Sequence, residues 1–204
     1  LSSSAAIELA TARAFHSVSS FEWNAKQMAL LGQKAENKWV GVNCGIMDQL
    51  ISAVGEKDHA VLMDCRSLDL EAVPIPEGTV VVVMDTNTRR GLVDSAYNER
   101  RSQCEEAARF FGVKALRDVS LTEFEARKNE LSPMTYKRAK HVISENERTT
   151  QAAQAMKQGD AVLLGKLMNE SHESLAIDFE VSSDALNIIV ESALEAGCYG
   201  ARMT

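Results

Sequence analysis

From about residue 92 to its end the chain repeats helical spacing and never again reads as a strand. Before that point it mixes helix starts, glycine-broken loops and short β-branched runs. The pattern thus passes from mixed helix and strand to nearly all helix. In the second part the expected helices are 94–111, 121–129, 133–157, 160–175 and 183–196. Gly112 ends the first of them and Gly159 separates two others, because a residue without Cβ is the natural helix stop. The shift in pattern falls near 92–120 and predicts two domains, 1–91 and 92–204.

In the first part, Ser2, Ser3 and Ser4 precede Ala5-Ala6-Ile7-Glu8-Leu9-Ala10. Serine favours a helix N-cap and Ala and Leu its interior, so a helix is expected to about Ser17. Ser19-Ser20 predicts the cap of a second helix, 21–37, and 46–54 reads as a short third one. His59–Cys65 and 68–73 read as a hairpin. Thr79–Asp85 (Thr-Val-Val-Val-Val-Met-Asp) reads as the strongest strand, with an unbroken apolar run that implies burial on both faces.

Hydrophobic residues make up 45% and charged residues 25% of the 204, as in an ordinary globular protein. The net charge is −7 and no basic run exceeds a pair of arginines, which argues against nucleic acid and anionic membrane as partners. No apolar run approaches the ~18 residues of a membrane span. Cys44, Cys65, Cys104 and Cys198 form no metal-binding or disulfide spacing, so reduced thiols and a cytoplasmic location are expected.

Serines at a helix start suit a phosphate, because the first N–H groups have no intrahelical partner and the dipole favours an anion. Taken alone, an ordinary serine cap is the commoner reason for such a pattern. Glu36 near a helix end opposes the dipole, which by itself suggests a solvated charge. Asp48, in Cys44-Gly45-Ile46-Met47-Asp48-Gln49, would on general grounds be a stabilising carboxylate at a helix start. A lone Tyr97 at a helix start would ordinarily be half-buried packing.

Several stretches together resemble a sugar kinase of the GHMP superfamily, specifically a galactokinase. Leu1–Ala6 is similar to the second half of the family's P-x-G-x-G-L-S-S-S-A stretch, and Cys44–Gln49 to its C-G-I-M-D-Q loop. Ser95–Glu105 resembles S-x-Y-x-x-R-R-x-x-C-E, and 168–182 resembles M-x-x-S-H-x-S-L…D-F-E-V-S. Gly200–Thr204 is similar to the start of a third motif. The resemblance implies an α+β, GHMP-kinase-like fold, here a partial N-terminal domain followed by a helix-rich C-terminal domain.

It implies that Ser2, Ser3 and Ser4 line the phosphates of ATP and that Ser4 and Glu36, twelve residues before Asp48, hold Mg²⁺. It implies that Gly45, Asp48 and Tyr97 contact galactose, with Asp48 the catalytic carboxylate facing the C1 hydroxyl. His172 is expected to be structural. The family's arginine partner of the aspartate, its G-E-H-T-D-Y motif and its G-G-G-F-G-G stretch have no counterpart among these residues. The expectation is therefore a galactokinase truncated at both ends, with little activity by itself and open sheet edges that favour self-association. The alternatives are a non-catalytic sugar and ATP sensor and an inactive partial gene product.

Overall fold

A computed structural model describes residues 3–41, 44–87 and 93–204, the side chains of 93–98 excepted. The chain divides into two compact units, Leu1–Ile75 and Pro76–Thr204.

The first unit opens with α1, Ser3–Ser17, which buries Ala5 and Leu9 at helical spacing. Next comes α2, Ala25–Ala35, capped by Asn24, whose side chain accepts from the Gln27 N–H at 3.0 Å. The cap is thus Asn24 rather than Ser19 or Ser20. The intervening residues are occupied otherwise: Phe21 and Trp23 meet the His16 ring edge-on at 5.3 and 5.6 Å. The Arg13 guanidinium lies 4.7 Å over the Trp23 ring. These contacts tie the connection back to α1 and delay the helix start.

A single π-helical turn, Glu36–Val40, extends α2, and the Gly41 N–H closes it onto the Glu36 carbonyl at 3.0 Å. Gly41 sits at φ 83°, a left-handed conformation that glycine adopts without Cβ strain. Then α3, Met47–Val54, leads to an antiparallel hairpin of β1, His59–Met63, and β2, Leu70–Pro74. Its register pairs His59 with Pro74 and Met63 with Leu70. Asp64 shapes the turn by accepting the Arg66 and Ser67 N–H groups at 2.8 and 3.1 Å. Ala29, Ile46 and Leu50 form the core of this unit, with Met63, Leu68 and Leu70 packed against it.

The expected strand at 79–85 is not one. Residues 79–87 have no regular structure, and the only sheet among the described residues is the β1–β2 pair. Val80 to Val83 are all at least 66% exposed. An apolar run expresses a preference for burial, but a strand exists only where a neighbouring backbone supplies the ladder hydrogen bonds.

The second unit is helical: α4, Val93–Phe111; α5, Leu121–Arg127; α6, Pro133–Lys157; α7, Ala161–Ile177; and α8, Asp184–Glu195. Ser120, Ser132, Asp160 and Ser183 cap α5 to α8, each accepting the N–H three residues on. Such caps contribute about 1 kcal/mol each. Ala107, Phe111, Leu116, Phe124, Ala139 and Ile143 form the main core.

Arg138 is fully buried there. Its Nε donates to Gln103 at 2.7 Å, Nη2 to Glu180 at 2.7 Å, and Nη1 to the Asp178 carbonyl. Arg100 donates to the neighbouring Phe179 carbonyl at 2.7 Å. Two arginines thereby fasten α4 and α6 to the turn after α7.

Along α7, Gly165, Asn169 and His172 form a stripe that receives the chain end. A Cβ on Gly165 would overlap the Tyr199 carbonyl. Asn169 accepts the Ala201 N–H at 2.9 Å, and His172 Nδ1 accepts the Met203 N–H at 3.2 Å. His172 thus has a structural task, as expected.

His141 is buried, stacked on Phe179 at 4.3 Å and joined to Ser174 at 2.9 Å. Burial pushes its pKa down to about 4, against the pull of Asp178. The folded state therefore holds it neutral while the unfolded chain takes up a proton below about 6.5. Stability from this residue is complete above that value and is lost as pH falls towards 4. Glu180, lowered to about 2 by hydrogen bonds from Arg138 and Lys137, extends the loss below its ordinary 4.5. Urea denaturation monitored from pH 7 to 4 should show declining stability, and His141→Gln should flatten the slope between pH 6.5 and 4.5.

Candidate functional site

Helices α1, α2 and α3 of the first unit pack on one another; Ser3 and Ser4 lie on α1, Glu36 on the π turn that extends α2, Gly45 just before α3 and Asp48 on α3. Ser3 and Ser4 occupy the first turn of α1 and are exposed. Ser2 lies outside the described residues. The first N–H groups of any α-helix have no intrahelical partner, which suits a helix start to an anion.

Glu36 heads the π turn and is 7% exposed, so it is not the solvated charge its position alone suggests. Its carboxyl group lies beside that of Glu8 on α1. Burial, then the contact with Glu36, holds the Glu8 pKa above its ordinary 4.5, while a hydrogen bond from Gln49 opposes the rise. Gln49, on α3 and 2% exposed, donates from Nε2 to Glu8 Oε2 at 3.3 Å. Glu36 Oε2 and Gln49 Oε1 are buried without a hydrogen-bond partner among the described residues.

An unpartnered buried carboxylate oxygen is a costly feature in a fold, and it is also the hard donor that Mg²⁺ takes. Glu36 and the exposed hydroxyl of Ser4 therefore fit that ion chemically. No cluster of three or more His, Cys, Asp or Glu suited to a metal occurs among the described residues. Mg²⁺ ordinarily needs only one or two protein groups beside phosphates and water.

Asp48 is half-buried in the first turn of α3, next to buried Gln49. Gly45 precedes it in an exposed loop, and a Cβ there would meet nothing within 4 Å. Cys44, before Gly45, is held by polar side chains of α2 and its π turn. Burial raises the Cys44 thiol above its ordinary value, which disfavours the thiolate. Tyr97 lies on α4 in the second unit, and its side chain is outside the described residues.

Sequence reasoning did not single out Glu8, Gln33, Asn37 or Gln49. The signal that could have found Glu8 and Gln49 is Gly32, a glycine inside a helix, where tertiary contact rather than propensity is the usual reason. A Cβ on Gly32 would stand 3.1 Å from Glu8 Oε2 and 3.2 Å from Gln49 Cγ. Cys104 is half-buried beside the core of the second unit, as a small apolar side chain should be. Arg101 makes an i,i+4 pair with Glu105 at 3.1 Å, whereas Arg100 is the tertiary tie described above.

Residues 1–56 match the family of GHMP kinases N terminal domains, and residues 152–204 match that of GHMP kinases C terminal domains. The chain belongs to the GHMP kinases. Among solved structures it is similar to Lactococcus lactis galactokinase, crystallised in complex with galactose, at 34% identity and a TM-score of 0.86. That similarity covers 98% of this chain and 53% of the other, so the chain spans about half the length of the galactokinase it matches. Among the described residues no helix is long and apolar enough to cross a membrane.

Glu8→Gln would remove one of two adjacent acidic groups while keeping a polar side chain of the same length. Because the Glu8 pKa is raised on folding, the charge costs stability as pH climbs above 4.5. The variant should be more stable than wild type at pH 7 by up to about 1 kcal/mol and nearly equal to it at pH 4, read by urea denaturation.

Proposed function

We propose that the protein carrying this chain transfers the γ-phosphoryl group of ATP to O1 of α-D-galactose. The observation that carries this reading is the Cys44–Gln49 loop. It supports Asp48 on the first turn of α3, within the same three-helix unit as the α1 N-terminus and buried Glu36. The similarity to a galactokinase crystallised with galactose supports that sugar as the acceptor.

On this reading galactose binds with its C1 hydroxyl at Asp48, and the open space beside Gly45 admits the sugar close to the backbone. The carboxylate of Asp48 orients that hydroxyl and accepts its proton as O1 attacks the γ-phosphorus. The new O1–P bond forms as the bond from the γ-phosphorus to the bridging oxygen of ADP breaks, giving galactose 1-phosphate and ADP. The N-terminal N–H groups of α1 and the hydroxyls of Ser2, Ser3 and Ser4 hold the phosphates. Glu36 and Ser4 would hold Mg²⁺, which supplies charge neutralisation on the phosphate oxygens when bound. Tyr97 contacts the sugar through its phenol.

Residues 1–91 then supply the later part of the N-terminal domain and 92–204 most of the C-terminal domain. A cytoplasmic setting accords with four free cysteines. Open strand edges would promote self-association, and a monodisperse monomer in light scattering would count against that part of the reading.

The test is ADP release with galactose and Mg·ATP, comparing the protein with its Asp48→Ala variant. Turnover should fall by about 10²–10⁴-fold, the worth of a positioned acid–base group, while ATP binding by calorimetry stays within a few-fold. Galactose and ATP binding without turnover in the wild type would instead favour the sensor reading. A variant with full turnover would remove Asp48 from the mechanism.

A further inference from the structure

One residue beside the carboxylate cluster holds the loop that leads to Asp48. Asn37 comes directly after Glu36 on the π turn, and its Oδ1 accepts the Cys44 N–H at 3.1 Å and faces the Cys44 thiol at 3.5 Å. Gln33, one turn earlier, donates from Nε2 to the Cys44 carbonyl at 3.2 Å. Both polar groups of the Cys44 backbone are thus fixed by side chains of one helix edge. Gln49 completes the hold with an Nε2 contact to the thiol at 3.9 Å.

The next residue is Gly45, which has no side chain of its own to pack, and Ile46 anchors the far side of the loop in the core. The position of Gly45 therefore depends on what grips Cys44 on one side and Ile46 on the other. The π turn hands its first residue, Glu36, to the carboxylate cluster and its second, Asn37, to the loop. π turns of this kind often occur where a helix must aim consecutive side chains at a functional site.

We infer that Asn37, seconded by Gln33, is a positioning residue that fixes the Cys44–Gly45 backbone and, through it, the approach of the acceptor sugar to Asp48. This inference rests on the sugar-kinase reading given above. Asn37 touches neither the reacting hydroxyl nor the phosphates in that reading. Its loss should act on the sugar side of the reaction and spare the nucleotide side.

The experiment compares wild type, Asn37→Ala, Gln33→Ala and the double variant in the complete protein. Asn37→Ala should lower kcat/KM for galactose by about ten- to a hundredfold, the usual cost of a small misplacement near a reacting group. The KM for ATP should stay within about twofold of wild type, where a general unfolding would move both substrates together. Gln33→Ala should show a smaller loss of the same kind. The double variant should lose less than the product of the two, because both act through Cys44.

Amide hydrogen exchange at Cys44, read by mass spectrometry, gives a readout independent of turnover and should quicken in Asn37→Ala. Faster exchange with galactose kcat/KM unchanged would overturn the inference and leave the kinase reading intact. Equal losses for galactose and ATP, or unchanged Cys44 exchange, would overturn it as well. A wild-type protein without galactose turnover would sink the kinase reading, and the inference with it.

Discussion

The close approach of three helices at Gly32 is the constraint on which the rest of the first unit depends. Its missing side chain lets Glu8 and Leu9 of α1 and Gln49 of α3 lie against the backbone of α2. That contact buries Glu36 and Gln49 and leaves each with an unpartnered oxygen among the described residues. Polar groups are buried at a cost unless something answers them, so a fold that stacks acidic groups in this way gives up stability at this point. The apolar core beneath, from Ala29, Ile46 and Leu50, supplies the offsetting burial.

The second unit meets a related electrostatic problem with a different solution. Arg138 is as deeply buried as any described residue in the chain, but carbonyl, amide and carboxylate oxygens satisfy it. A buried guanidinium with full partners adds more to the uniqueness of the packing than to its depth, whereas removal of its carboxylate partner would leave an uncompensated charge. Glu180 illustrates the demand: it adopts φ 56°, unusual for a side chain with Cβ, while answering both Arg138 and Lys137.

The parts of the fold legible in the sequence are those decided by short-range chemistry. The bounds of α6 can be read because Ser132 and Pro133 start a helix by local rules, and Gly159, at φ 70°, closes the turn beyond Lys157. The hairpin likewise announces itself by β-branched residues around a polar turn. The misreadings concern features decided over longer distances. Residues 79–85 carry strand composition, but composition contains no information about whether a neighbouring backbone is at hand. The start of α2 depends on aromatic contacts of Phe21 and Trp23 with α1, which no local rule encodes. In the site, Ser4, Glu36 and Asp48 are accessible through resemblance to a family. Glu8 and Asn37 gain their significance only from tertiary contacts, with Glu36 and Cys44 respectively, and their residue types alone say nothing of them.

The π turn at Glu36–Val40 also fixes an angular phase. A π turn contains one residue more than an α turn, so it offsets every later side chain by roughly 100° about the helix axis. Deleting a single residue there would let the helix relax to ordinary α spacing without losing a hydrogen-bonded turn. Such a chain would keep the Glu36 carboxylate on its present bearing and turn every residue after the deletion onto a neighbour's. Chain length in this turn is therefore a coordinate of the site in its own right, and a one-residue change in it would alter aim rather than stability.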